Sequence, residues 1–224
     1  MKMEAIKLKK VTKIYESRTV VNNASFFIKS SSFVSIVGRS GSGKSTLLNM
    51  IGSLEKPDEG SIIVNDLDIS KASKKEISYY RNKTIGFVFQ SFHLEPSYDV
   101  FHNVAIPLYI AGEKNIKKRV ENALEIVGLA DRIHSNVTKL SGGERQRVSI
   151  ARAIINDPKI ILADEPCGNL DTENSGVIMD LLRKLVDDGK CVLLVTHDLD
   201  DAAKTDRIIT INDGSIISDK VIKK

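Results

Sequence analysis

A glycine-rich segment at residues 38–46 has the residue types needed to hold a chain of phosphates. It lies between a short apolar run and a stretch of helical character, which is the context in which this pattern binds phosphate. Glycines let several backbone N–H groups point at one anion, Lys44 adds a positive charge, and the Ser45 hydroxyl suits Mg²⁺. The segment consists of Gly38, Arg39, Ser40, Gly41, Ser42, Gly43, Lys44, Ser45 and Thr46. Its spacing arises by chance in about one per cent of chains of this length.

Two consecutive carboxylates, Asp164 and Glu165, follow the apolar run at residues 160–163. At the carboxyl end of a buried strand, Asp164 can face Mg²⁺ directly or through water, while Glu165 can orient or deprotonate a water molecule. Acidic residues often follow strands for structural reasons alone. The glycine-rich segment in the same chain favours the catalytic interpretation of this pair.

Ser141 and Glu144 have the spacing of a capping box at the start of a helix that runs to Asn156. The two residues between them, Gly142 and Gly143, cost a first helical turn about 1 to 2 kcal/mol relative to alanine. This cost has a purpose if an anion approaches the exposed N–H groups closely. Ser141, Gly142 and Gly143 therefore form a second candidate anion site.

A chain with two anion-binding helix starts, but one lysine-bearing loop and one acidic pair, resembles the ATP-binding cassette ATPases. The motifs occur in the order of that family and cover essentially the whole chain. The resemblance implies ATP as the nucleotide. It also implies a homodimer in which two chains sandwich two ATP molecules head to tail, with residues 141–143 facing the nucleotide of the partner.

The same resemblance suggests roles for single residues. Tyr15 is similar to the aromatic residue that stacks on adenine, Gln90 to the glutamine that reaches Mg²⁺ and water, and His197 to the histidine that contacts the γ-phosphate. Asp171 belongs to a loop that crosses the dimer interface. All three residues also have ordinary structural explanations, Tyr15 as an aromatic residue of a strand, and Gln90 and His197 as polar residues at strand ends. The expected catalytic set is Lys44, Gln90, Glu165 and His197, and the expected Mg²⁺ ligands are Ser45, Gln90 and Asp164.

The composition excludes several classes of protein. The 224 residues are 42% hydrophobic and 28% charged, which is typical of a globular chain and not of a disordered one. A net charge of +4 in scattered short runs gives little support for nucleic-acid binding. Two cysteines are too few for a disulfide framework. Because the sequence lacks a spanning segment and a signal peptide, we expect a cytoplasmic protein. The resemblance implies that it lies at the cytoplasmic face of the plasma membrane, through a membrane subunit.

The hydrophobic pattern predicts an α/β fold. Period-two alternation in residues 3–37 predicts an N-terminal antiparallel β subdomain, and the apolar runs 33–37, 85–89, 160–163 and 191–195 predict buried parallel strands of a P-loop NTPase core. Helical spacing between about residues 91 and 139 predicts an inserted helical subdomain. We expect one ATPase domain over residues 1–224.

Within the family, the chain looks most like the branch of macrolide exporters, lipoprotein-releasing ATPases and antimicrobial-peptide transporters. This resemblance implies a separate membrane permease, contacted through the helical subdomain, with Phe92, Leu94 and Tyr98 as candidate groove residues. We expect efflux of, or resistance to, antimicrobial peptides or antibiotics. The alternatives are a cell-division or lipoprotein-release cassette, or a soluble non-transport ATPase. Cys167 departs from the threonine or serine usual at its position and places a thiol near the nucleotide.

Overall fold

The computed structural model describes residues 4–222, and its N-terminal sheet is antiparallel as predicted. Strands β1 (Glu4–Tyr15), β2 (Arg18–Lys29), β4 (Glu59–Val64) and β5 (Leu67–Asp68) lie in the order β2-β1-β4-β5. Alternate side chains of β2, such as Ala24, Phe26 and Ile28, are buried. This period-two burial matches a sheet with one face on the core.

The central sheet contains six strands, and its parallel part is the predicted one. Strands β3 (Phe33–Val37), β6 (Ile85–Phe89), β7 (Ile160–Asp164), β8 (Cys191–Thr196), β9 (Arg207–Asn212) and β10 (Ser215–Val221) follow the order β10-β9-β3-β8-β7-β6. Only β10 is antiparallel to its neighbour. The register pairs Val37 with Thr196 and Phe89 with Asp164. The loops after β3, β6, β7 and β8 therefore all leave the sheet on the side where its parallel strands have their carboxyl ends.

Helices cover the central sheet on both faces, and the sheet separates two apolar cores. The helices are α1 (Lys44–Ile51), α2 (Lys74–Tyr79), α3 (Val100–Ile110), α4 (Ile116–Ile126), α5 (Gly142–Ile154), α6 (Thr172–Asp187) and α7 (Leu199–Ala203). A π-helical turn at Tyr80–Thr84 continues α2, and short 3₁₀ turns occupy Ala130–Arg132 and Val137–Lys139. One core includes α1 and β1, whereas the other includes α3, α4, α5 and α6.

The predicted helical insertion, residues 91–139, contains α3, α4 and both 3₁₀ turns, but residues 91–99 form no helix. Leu108 of α3, Leu124 of α4 and Ile150 of α5 belong to one buried cluster. The insertion therefore packs on α5 rather than on a core of its own. None of the helices in residues 4–222 combines the length and the apolar character needed to cross a lipid bilayer.

Candidate functional site

The glycine-rich loop joins β3 to α1 with a backbone that other residues would not adopt. Gly43 has a φ of 98°, and a Cβ added there would overlap the carbonyl oxygen of Val20. The Lys44 side chain is buried, and its ammonium group donates to the carbonyl oxygens of Gly38, at 2.9 Å, and Arg39, at 3.1 Å. The loop therefore curls around the lysine head group as a phosphate cradle does.

Helix α1 begins at Lys44, so Lys44, Ser45 and Thr46 form its first turn. The N–H groups of a first helical turn have no intrahelical acceptor, and the helix dipole makes this end positive. The first turn of α1 carries no acidic side chain. This end of α1 therefore suits the phosphates of a nucleotide.

Ser45 and Asp164 meet at the end of β7, where the Ser45 hydroxyl donates to Asp164 Oδ1 at 3.0 Å. Burial raises the pKa of Asp164, and the negative charge of Glu165 adds to this rise, whereas the hydrogen bond from Ser45 opposes it. Within residues 4–222, no cluster of three or more His, Cys, Asp or Glu side chains could hold a metal ion. Mg²⁺ needs no such cluster, because it commonly binds one or two carboxylates together with water and phosphate oxygens. A hydroxyl and a carboxylate oxygen at hydrogen-bond distance therefore fit this ion.

Glu165 and His197 are in direct contact beside the phosphate loop. Glu165 follows β7 with a φ of 46°, and its backbone N–H donates to the Val195 carbonyl at 2.9 Å. Its Oε2 lies 2.6 Å from His197 Nδ1. A left-handed backbone at a residue other than glycine persists only where its surroundings hold it. The carboxylate is therefore held in one orientation, as a general base requires.

These groups surround a cavity of about 850 Å³. Residues 38–41 and 43–46 form one wall, and Gln90, Glu165 and His197 form another. The sequence analysis did not identify the remaining lining residues, which are Val20, Val37, Leu199 and Thr210. They carry no charged group, and only their positions beside the loop bring them to the cavity. Most of the predicted site residues therefore lie at this cavity, and Ser42 lies within its loop. The exceptions are Tyr15, Asp164, Asp171 and residues 141–143.

Tyr15 lies beside the phosphate loop and is not among the residues that line the cavity. The side chain is 39% exposed, its hydroxyl donates to Glu55, and the Lys13 ammonium group is 5.3 Å from the ring centre. Burial and the hydrogen bond to Glu55 raise the pKa of Tyr15 to about 12. The phenol is therefore held neutral at one edge of the site, and its role toward adenine stays a prediction.

The second helix start has the predicted capping box. Ser141 Oγ accepts from the Glu144 N–H at 3.2 Å, and the Ser141 N–H donates to Glu144 Oε2 at 2.8 Å. A Cβ at Gly143 would overlap the Asn174 side chain of α6. Contact within the chain therefore explains one of the two glycines without an anion. Ser141, Gly142 and Gly143 are absent from the cavity wall.

Asp171 caps helix α6, since its carboxylate accepts from the Asn174 N–H at 2.8 Å. This hydrogen bond lowers the pKa of Asp171. In the same loop, the Asn169 amide donates to the carbonyl oxygen of Gln90 at 3.3 Å. The loop that follows the acidic pair is therefore bonded to the residue that follows β6.

The Cys167 thiol lies under the same loop and is half-buried. Burial raises its pKa to about 12, with a smaller contribution from the negative charge of Asp201. Thiols react with oxidants mainly as thiolates, so the raised pKa lowers the reactivity of this thiol at neutral pH.

The three candidate groove residues have different surroundings. Leu94 packs against the helical core, Phe92 is partly buried beneath the Arg145 guanidinium, and Tyr98 is 46% exposed. A separate cleft of about 420 Å³ lies between the π-helical turn, α3 and α5. Its lining residues are Ser78, Arg81, Asn82, Ile85, Gly86, Phe87, Pro107, Ile110, Arg152, Ala153 and Asn156.

Comparison with protein families and curated proteins gives one consistent result. A family model described as ABC transporter matches residues 21–168. The chain is 45% identical over 218 residues to the uncharacterised ABC transporter ATP-binding protein YknY of Bacillus subtilis, with 95% of each chain covered. It is 44% identical to the lipoprotein-releasing system ATP-binding protein LolD of Bacteroides thetaiotaomicron, over 96% of this chain and 100% of LolD.

A third relative is a longer protein. The chain is 42% identical to the macrolide export ATP-binding/permease protein MacB of Chlorobaculum tepidum, over 97% of this chain but 34% of MacB. Among solved structures, the dimeric bacterial ABC transporter cassette MJ0796 matches with a TM-score of 0.90 and 40% identity, covering 98% of this chain and 99% of that one. The same cassette in a post-hydrolysis state bound to ADP and Pi matches with a TM-score of 0.89.

Proposed function

The chain belongs to the ABC transporter family and is an ATP-hydrolysing subunit of that family; from this premise we propose that two copies close head to tail around two ATP molecules and drive a separate membrane permease. ATP-dependent closure and hydrolysis-dependent opening of this dimer would supply the movement. The site residues and the dimer are proposed from the structure, and the cargo is proposed from the relatives.

The position of the second helix start is the observation that carries the head-to-tail dimer. Ser141 is exposed at the N-terminus of α5 and lies outside the cavity that Lys44 and Glu165 line. Within a single chain, the N–H groups of residues 141–143 therefore donate nothing to a phosphate in that cavity. A second copy related by a two-fold axis would bring its own residues 141–143 to the open side, and each chain would complete the site of the other.

Within each site the side chains have distinct tasks. Lys44 and the N–H groups of residues 38–46 would bind the phosphates, and Glu165, oriented by His197, would accept a proton from the attacking water. Ser45 and Asp164 with Gln90 would hold Mg²⁺, which neutralises phosphate charge when bound. The Ser45–Asp164 hydrogen bond supports this proposal, because it brings a hydroxyl and a carboxylate oxygen together.

We assign the cleft between the π-helical turn and α3 to the membrane permease. Its rim includes Arg81 and the 75%-exposed side chain of Ile110, and the neighbouring Tyr79 is 67% exposed. Exposed apolar side chains next to an arginine are typical of the centre of a protein interface. Of the groove residues predicted from the sequence, Leu94 is partly buried against the helical core, and Phe92, Leu94 and Tyr98 stay predictions beside this cleft.

The cargo is proposed from the relatives. LolD is named for lipoprotein release and MacB for macrolide export. We therefore place the cargo among antibiotics or antimicrobial peptides, with a lipoprotein as the alternative. A strain that lacks the protein should become more susceptible to the exported compound, and the wild-type chain, but not Glu165→Gln, should restore resistance.

The ATPase and dimer assignments are tested by Glu165→Gln. This change keeps the size of the side chain and removes the base, so we expect hydrolysis to fall at least about 100-fold while ATP binding persists. The trapped ATP should move the protein to dimer size in gel filtration. Glu121→Gln, on the exposed face of α4, is the control and should behave as wild type. A Glu165→Gln monomer that binds ATP and hydrolyses it normally would refute both assignments.

The permease assignment is tested with the same variant. Glu165→Gln, purified with ATP from detergent-solubilised membranes, should retain a multi-spanning protein identified by mass spectrometry. Recovery of ribosomal or DNA-associated partners alone would support a soluble non-transport ATPase instead and leave the ATP chemistry intact.

A further inference from the structure

The segment that follows β6 has an unusual backbone. Phe92 and His93 are consecutive residues with φ values of 59° and 48°, a left-handed conformation that side chains with a Cβ rarely adopt. The His93 N–H donates to the Ser91 carbonyl at 2.5 Å, and the Phe92 N–H donates to the Phe89 carbonyl at 3.3 Å. Such a turn persists where neighbouring groups hold it in place, and such turns cluster at functional sites. The first residue of this segment is Gln90, which lines the nucleotide cavity.

One side chain of α5 bonds to both strained residues. Arg152 Nη2 donates to the Phe92 carbonyl at 2.7 Å, and Nη1 donates to the His93 carbonyl at 2.5 Å. Burial lowers the pKa of Arg152, so its guanidinium depends on these acceptors in place of water. A planar guanidinium has two parallel donors that match two successive carbonyls, and an ammonium group does not. Arg152 is therefore suited to fix the direction of the turn.

Two more side chains of α5 hold the same segment. The fully buried Gln146 donates to the Phe89 carbonyl at 3.4 Å, and the Arg145 guanidinium lies 5.2 Å from the centre of the Phe92 ring. Helix α5 begins at the Ser141 cap. The helix that presents residues 141–143 is thus bonded along its length to the segment that carries Gln90.

We propose that Arg152 is a positioning residue for hydrolysis, which holds the Phe92–His93 turn and thereby sets the place of Gln90 in the cavity. The proposal rests on the proposed function in one respect, namely that Gln90 acts at the metal ion and the water. Arg152 itself acts only through the turn. It also links the two halves of the composite site, because α5 supplies residues 141–143 to the partner and Arg152 to its own Gln90.

The test compares Arg152→Gln with wild type in three measurements. The kcat for ATP should fall about tenfold or more, and half-maximal activity should require more Mg²⁺, because Gln90 loses its position. The Kd of a fluorescent ATP analogue measured without Mg²⁺ should stay within about twofold, since residues 38–46 are untouched. Hydrogen exchange of residues 89–95 in nucleotide-free protein should become faster, because the turn loses both of its side-chain donors.

Arg183→Gln is the matched control. Arg183 on α6 also donates to a backbone carbonyl, that of Lys204 at 2.7 Å, and its guanidinium lies 4.9 Å from the centre of the Phe33 ring. Its loss should lower thermal stability without changing the Mg²⁺ requirement. If Arg152→Gln shows the same pattern as this control, Arg152 has a merely structural role and the proposal is wrong.

A double variant decides whether Arg152 acts through Gln90. If it does, Arg152→Gln combined with Gln90→Ala should lose no more kcat than Gln90→Ala alone, whereas independent losses that multiply would overturn the proposal. Arg152→Lys keeps the charge but has a single donor nitrogen, so it should give an intermediate kcat. If Arg152→Gln does not fold, Arg152→Lys replaces it in every measurement. Normal activity of Gln90→Ala would refute the proposed function of Gln90, and hydrogen exchange would still report whether Arg152 holds the turn.

Discussion

The buried position of Asp164 makes its ionised carboxylate unfavourable for the stability of the fold. Burial raises its pKa above the ordinary value of 3.8, so the fold favours the protonated carboxyl, whereas a metal ligand must be ionised. The ionised form therefore lowers the free energy of unfolding at neutral pH. This conflict between stability and ligand chemistry is common at functional sites.

Asp164→Asn should consequently stabilise the fold at pH 7 while abolishing Mg²⁺-dependent hydrolysis. Asparagine removes the buried charge and keeps an oxygen that can accept from Ser45. The sign follows from the raised pKa: deprotonation costs stability above pH 3.8, so the advantage of the variant should shrink as the pH is lowered from 7 toward 4. Urea unfolding of both proteins at several pH values measures this difference.

Asp171→Asn provides the opposite case. The Asn174 N–H lowers the pKa of Asp171, so its ionised form stabilises the fold above pH 3.8, and this contribution is lost as the pH falls. The variant should be slightly less stable than wild type at pH 7. A loss of stability in Asp164→Asn, parallel to that in Asp171→Asn, would contradict the assignment of Asp164 as a strained ligand.

At the scale of the element, the start of α5 serves two purposes with one side chain. Ser141 caps the helix through the Glu144 N–H, and its exposed position suits it to face the phosphates of a partner chain. A cap and an anion ligand place different demands on the residue. Aspartate caps a helix as well as serine does, but its charge repels phosphate.

Ser141→Ala should therefore impair the stability of the fold, whereas Ser141→Asp should impair formation of the dimer. Ser141→Ala should lose about 1 kcal/mol of stability through the missing cap. Ser141→Asp should keep the wild-type stability, yet fail to form the ATP-dependent dimer in the Glu165→Gln background. Thermal unfolding and gel filtration separate the two effects. If Ser141→Asp still forms the dimer, residues 141–143 do not face the phosphates of the partner.

The sequence predicted the elements whose patterns are local. The runs that became β3 and β6 have the predicted bounds, because strands buried on both faces are continuously apolar. The β9–β10 hairpin was missed although Asp213-Gly214 between isoleucine-rich runs is a recognised hairpin signal.

Contacts between distant segments had no signal in the sequence. In the sequence, Arg152 looks like any solvated arginine of a helix. Only the folded chain places the Phe92 and His93 carbonyls against it. The Gly143 contact with Asn174 is of the same kind, since it joins the starts of two helices. Motif spacing predicted the phosphate loop together with Gln90, Glu165 and His197 at the cavity, but not what holds them there.

For the whole molecule, the proposed head-to-tail arrangement would make each site depend on two chains. Lys44 would belong to the half that binds the phosphates, and Ser141 to the half offered to the partner. In a hybrid of Lys44→Ala and Ser141→Asp chains, one site carries both defects and the other carries neither, because the two changes lie on opposite halves.

Mixing the two inactive variants should accordingly restore hydrolysis. Only hybrid dimers contain an intact site, one of their two, so the mixture should show about a quarter of the wild-type activity if the chains pair at random and up to about half if only hybrids form, provided that the sites act independently. Each variant alone should stay inactive, as should a mixture of Lys44→Ala with Glu165→Gln, whose defects lie on the same half. Steady-state phosphate release measures all of these samples. If the mixture of Lys44→Ala and Ser141→Asp is as inactive as its components, either each chain completes its own site or hydrolysis requires two intact sites. If the mixture of Lys44→Ala and Glu165→Gln is active, Glu165 lies on the half offered to the partner.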